Sequence, residues 1–233
     1  MFARTVLPLI ALAACQEATL DSSPPTPRAG IHAVGDSIMA SFAEEGASIA
    51  DVVSEARGES VANVSVGGAL MTLGDPERPA IPDQYREGDW SWLIVDGGGN
   101  DLGELCGCDG CDDVLDSLVT SDGRGGVFPR FVGPIAQSGV RVALMGYPDL
   151  PDDAAFGFDA CDDEFEVLAQ RLTTLATFDA RIDFIDMRDV ISSTDLDMYV
   201  DDHVHPSLAG AATMGAYLVE RMAAAEAGGE GSN

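Results

Sequence analysis

Three short segments hold the polar groups that acyl transfer from an ester requires. They are Gly35-Asp36-Ser37, Gly97-Gly98-Gly99-Asn100-Asp101 and Asp202-His203-Val204-His205-Pro206. A serine hydroxyl is a weak nucleophile until a base takes its proton, so Ser37 needs a neutral imidazole within hydrogen-bond reach. His205 is the candidate base, and the spacing Asp202-x-x-His205 lets one loop bring a carboxylate to the far ring nitrogen. That contact fixes the tautomer and stabilises the imidazolium formed during attack. Attack also creates an oxyanion that needs preorganised donors. The candidates are the backbone N–H groups of Ser37 and Gly68 and the side-chain amide of Asn100, with Gly67 as the alternative to Gly68. A missing side chain at that position lets the backbone approach the substrate closely.

These residues can cooperate only if the fold gathers them. Short apolar segments at 31–35, 60–66, 92–97, 140–146 and 182–187 read as strands. Helical patterns fall near 47–56, 113–119, 128–137, 163–178 and 207–225, the last with Leu208, Ala212, Met214, Leu218 and Met222 as its apolar stripe. Strands alternating with helices imply a parallel sheet with helices on both faces. In such sheets function collects at the carboxyl ends of the strands. Ser37 follows the first strand, Gly68 the second and Asn100 the third, while Asp202 and His205 precede the last helix. His32, inside an apolar strand, is expected to be a satisfied core residue. Trp90 and Trp92 begin the third strand at the opposite end and are expected to pack. Residues 123–126 read as a turn, because they lack the Lys-Ser/Thr ending of a phosphate loop.

The same residues resemble the SGNH (GDSL-type) hydrolases across most of residues 31–215. Gly35-Asp36-Ser37 looks like the first block of that family, Asn63-Val64-Ser65-Val66-Gly67-Gly68 the second, Gly98-Gly99-Asn100-Asp101 the third and Asp202 to Pro206 the last. The first block departs from the family by continuing Ile38-Met39-Ala40. The resemblance implies a flavodoxin-like three-layer α/β/α sandwich with a five-stranded parallel sheet. It also implies a Ser37-His205-Asp202 triad acting on esters, thioesters or carbohydrate O-acyl groups with no metal or other cofactor. Transfer of the acyl group to a glycan hydroxyl needs identical residues, and an idle glycan-binding lipoprotein is a third reading. The His203-x-His205 pair beside Asp201 has a spacing compatible with metal ligation, but the triad already employs Asp202 and His205.

The 233-residue chain carries 40 acidic and 12 basic residues, a net charge of −28, and no lysine. Such a surface repels phosphate backbones, so nucleic acid is not an expected partner, and anionic substrates are disfavoured at low salt. Arg4, the apolar run 5–14 and Leu12-Ala13-Ala14-Cys15 resemble a bacterial lipoprotein signal, which implies export, cleavage of residues 1–14 and lipidation of Cys15. Residues 15–30 then read as lipidated cysteine and polar tether, residues 31–225 as the hydrolase domain and residues 226–233 as a disordered tail. Membrane contact is expected only through the lipid anchor, and the oligomeric state is not legible. Cys106, Cys108, Cys111 and Cys161 are an even set in an oxidising compartment. They suggest two disulfides with three possible connectivities, and a four-thiolate zinc site is the rival. A bridge from the 106–111 loop to Cys161 is expected to stiffen the rim holding Asn100. Specificity is assigned to loops 69–89, 102–122 and 148–162, and the substrate is expected to be a small-molecule or glycan ester with a short acyl group.

Overall fold

The computed structural model describes residues 30–230. The expected signal peptide, Cys15 and all of the tether except Gly30 lie outside the described residues, as do residues 231–233. In chain order the elements are β1 (Ile31–Val34), α1 (Ser37–Ala40), α2 (Ile49–Arg57), β2 (Val61–Asn63), α3 (Ile81–Gln84), β3 (Trp92–Val95) and α4 (Gly99–Asp101). They continue with α5 (Asp112–Leu118), α6 (Val127–Gln137), β4 (Arg141–Met145), α7 (Asp162–Ala176), β5 (Ile182–Ile185) and α8 (Leu208–Glu230).

The five strands form one parallel sheet in the order β2-β1-β3-β4-β5. The inner strands β1 and β3 are buried at every position, which is why they read as unbroken apolar runs. Helices α2 and α8 pack together over one face, and α5 packs against α6 and α7 on the other. This is the five-stranded α/β sandwich expected from the sequence. The chain order reverses between β1 and β3, and the carboxyl ends of those strands flank the crevice where such sheets bind ligands.

Local chemistry sets the ends of the elements. Ser48 and Asp51 form a reciprocal capping box at the start of α2, and Gly58 ends it with φ +64°. The buried stripe of α8 is Ala211, Met214, Leu218 and Met222, whereas Leu208 and Ala212 face solvent. Helix α8 also runs to Glu230, so residues 226–230 are helical where a disordered tail was expected. Glu226 accepts hydrogen bonds from Arg57 Nη2 and Trp92 Nε1, both at 2.8 Å, and Arg141 Nη1 reaches the Ala225 carbonyl at 3.1 Å. These contacts to α2, β3 and β4 replace the apolar contacts that the sequence there cannot supply.

Candidate active site

Ser37 is the first residue of α1, directly beyond β1. The turn that delivers it is fixed from several directions. Gln84 brackets Gly35, accepting from its N–H at 2.9 Å and donating to its carbonyl at 3.0 Å. Asp96 Oδ1 accepts the Asp36 N–H at 3.1 Å, and a Cβ at position 35 would lie 1.4 Å from that oxygen. Only glycine fits there. Asp36 caps α1 by accepting the Ile38 N–H at 2.9 Å. Asp96 is fully enclosed, and burial, then the Asp36 charge, push its carboxyl well above the ordinary range.

The opposing loop carries His205, the candidate base. His205 Nδ1–H donates to Asp202 Oδ2 at 2.7 Å, and Ser37 Oγ–H meets His205 Nε2 at 2.9 Å. The second oxygen of Asp202 accepts the backbone N–H groups of Val204 and His205, each at 2.9 Å. Burial raises the Asp202 pKa, but the His205 backbone, the His205 ring and the Val204 N–H outweigh it and hold the carboxyl below its usual value. It therefore stays ionised beside the His205 ring. His203 takes a left-handed backbone, φ +56°, and turns its ring to Asp153 at 2.7 Å, away from the triad.

The remaining polar groups converge on the same cleft. Residues 66–69 form a turn closed by the Ala69 N–H to the Val66 carbonyl at 3.1 Å, with Gly68 at φ +72°. A positive φ at the third turn position favours glycine there. Arg78 Nη1 donates to the Gly68 carbonyl at 2.9 Å and to Glu104 at 2.7 Å. Asn100 Nδ2 donates to the Ala69 carbonyl at 3.1 Å and to Asp36 Oδ2 at 3.3 Å. Tyr147 donates to Asp36 at 2.7 Å and accepts from the Gly99 N–H at 3.0 Å. Buried Asp101 anchors the next segment through the Met71 and Thr72 N–H groups. Ser37, Gly67, Gly68, Asn100 and His205 all line a mostly apolar cleft of about 400 Å³.

The family model described as GDSL-like lipase/acylhydrolase matches residues 33–213. The chain belongs to this family. Among solved structures it is similar to a GDSL-like lipase from Bacteroides thetaiotaomicron, with 14% identity, TM-score 0.62 and coverage of 88% of this chain and 92% of that one. It is also similar to a carbohydrate esterase family 2 enzyme with a carbohydrate-binding domain from Corynascus thermopiles (Myceliophthora fergusii), with 19% identity, TM-score 0.58 and coverage of 88% and 68%. A third is a family two carbohydrate esterase from Clostridium thermocellum in complex with cellohexaose, with 14% identity, TM-score 0.55 and coverage of 86% and 65%. At these identities the likeness shows the fold. No curated protein matches the chain.

The four cysteines among the described residues pair as Cys106–Cys111 and Cys108–Cys161. The second bridge ties the segment after Asn100 to the start of α7. Asn100 leads through α4 into a π-helical turn at Leu102–Cys106, so the bridged loop begins where the cleft wall ends. Sequence reasoning missed Gln84, Asp96, Tyr147 and Arg78. His32 is buried as expected but only half satisfied: its Nε2 accepts the Arg86 N–H at 3.3 Å, while Nδ1 has no partner among the described residues.

Proposed function

We propose that the chain is a serine ester hydrolase, exported and held to the cell envelope through a lipidated Cys15, acting on short-chain acyl esters or carbohydrate O-acyl groups. The single observation that carries this reading is the unbroken chain of hydrogen bonds from Ser37 Oγ through His205 to Asp202. In the reaction His205 Nε2 takes the Ser37 proton as Oγ bonds to the ester carbonyl carbon, with Asp202 stabilising the imidazolium. The oxyanion is met by the backbone N–H groups of Ser37 and Gly68 and by Asn100 Nδ2, which exchanges its longer bond, to Asp36, for the new charge. His205 then protonates the departing alcohol, and water attacks the acyl-enzyme by the same route reversed. The fold likeness to esterases that act on carbohydrates supports sugar O-acyl groups as substrates.

The test is release of p-nitrophenol from an acetyl-to-decanoyl ester series. Wild type is expected to turn over the short members, and Ser37→Ala and His205→Ala are each expected to lower kcat by at least about 1,000-fold. Equal turnover by wild type and both variants would remove the triad from the reaction.

A further inference from the structure

We infer that Phe156 is the platform for the leaving alcohol and that it selects a neutral pyranose ring; this rests on the ester-hydrolase reading above. Phe156 lines the cleft and is 73% exposed, the most exposed large hydrophobic side chain among the described residues. Lying in the lining of the cleft that holds Ser37 and His205, this open ring face is placed to meet a bound substrate. The loop that carries it is tied down. Asp153 bonds the His203 ring at 2.7 Å, the Ala155 N–H donates to the Asp202 carbonyl at 2.9 Å, and Cys161 is bridged to Cys108. Two of these ties run to the loop carrying Asp202 and His205. Phe156 itself adopts φ +63°, a backbone conformation uncommon for an aromatic residue.

Stereochemistry decides which part of the substrate meets it. When the tetrahedral intermediate collapses, the carbon–oxygen bond to the alcohol breaks and that oxygen takes the proton from His205 Nε2. The leaving oxygen therefore lies within hydrogen-bond reach of Nε2, and the group it carries extends past the imidazole. The Phe156 ring centroid lies 6.2 Å from that of His205, with the planes at 70°. Phe158, by contrast, stacks on Phe165 and belongs to the inner wall. A single open aromatic face suits a ring better than a chain. A pyranose can lay its C–H groups on the face and keep its hydroxyls in water, whereas an alkyl chain there stays largely exposed. The net charge of −28 repels anionic alcohols.

The experiment compares three acetate esters: a monoacetylated methyl glucopyranoside, ethyl acetate and acetylcholine. All three form the same acetyl-enzyme, so differences in kcat/KM report the step in which the alcohol is still bound. Phe156→Ala is expected to lower kcat/KM for the sugar ester about tenfold and to leave ethyl acetate within about twofold, while Phe156→Trp retains the sugar ester. Equal losses on all three esters would make Phe156 a support for His205 and overturn the inference. So would an unchanged sugar ester, or a loss greatest on acetylcholine, which would point to a cation on the ring. Folded wild type that hydrolyses none of the esters would bring down the ester-hydrolase reading itself and this inference with it.

Discussion

Arg78 reaches the Gly68 carbonyl and Glu104 with one nitrogen, so a single guanidinium ties the turn at residues 66–69, which in the proposed reaction presents the Gly68 N–H, to the segment after Asn100. It touches no reacting atom and acts as a positioning residue. Arg78→Ala is expected to lower kcat on p-nitrophenyl acetate roughly tenfold with KM within about twofold, less than the loss of an oxyanion donor itself. Arg78→Lys, a point charge without the planar fork, should restore only part of it. An unchanged kcat in Arg78→Ala would show that the turn holds its own shape. Residues of this kind mark the limit of what the sequence discloses. Asp202 and His205 are legible because only two residues separate them on one loop, and Ser37 because it sits in a short recognisable block. Gln84, Asp96 and Tyr147 act across separations of 49, 60 and 111 residues, and nothing local to them announces a partner.

Among the elements, the Cys108–Cys161 bridge spans 53 residues, whereas Cys106–Cys111 spans 5. In the loop-entropy account the long bridge contributes about 4 kcal/mol and the short one about 2 kcal/mol. Urea unfolding of the Cys108→Ser/Cys161→Ser and Cys106→Ser/Cys111→Ser pairs should rank them in that order. A long-range pair that costs no more than the short one would place the stabilisation in native contacts instead. The five strands were legible because buried parallel strands leave apolar runs. Helices α1, α3 and α4, of three or four residues each, were not, since less than about one turn shows no period. The α8 stripe was misplaced at its first turn because alanine occurs on both sides of the helix there, Ala211 buried and Ala209 and Ala212 exposed. Its continuation to Glu230 depends on Arg57, Trp92 and Arg141, which no local pattern could disclose.

For the molecule as a whole, stability should depend on pH through His32, which is 2% exposed in the middle of the sheet. Burial, aided by the Arg86 charge and opposed by backbone contacts at Ala33 and Ala62, holds its pKa below the ordinary 6.5. The unfolded chain therefore binds a proton that the folded chain refuses. Stability is full above about pH 6.5 and falls as pH drops below it, by at most about 1.4 kcal/mol per pH unit from this group. Urea unfolding at pH 7.0 and 5.5 should show the loss, and His32→Gln should flatten it. An equal loss in the variant would assign the effect to other groups. The parallel sheet also gives the molecule a front and a back. Gly30 enters β1 at the amino ends of the strands, beside Ser60 and Ser91, while Ser37 leaves at the carboxyl ends. A leash fastened upstream of residue 30, as proposed for Cys15, therefore grips the domain by its back. The catalytic mouth lies at the opposite end of the sheet from that point of attachment.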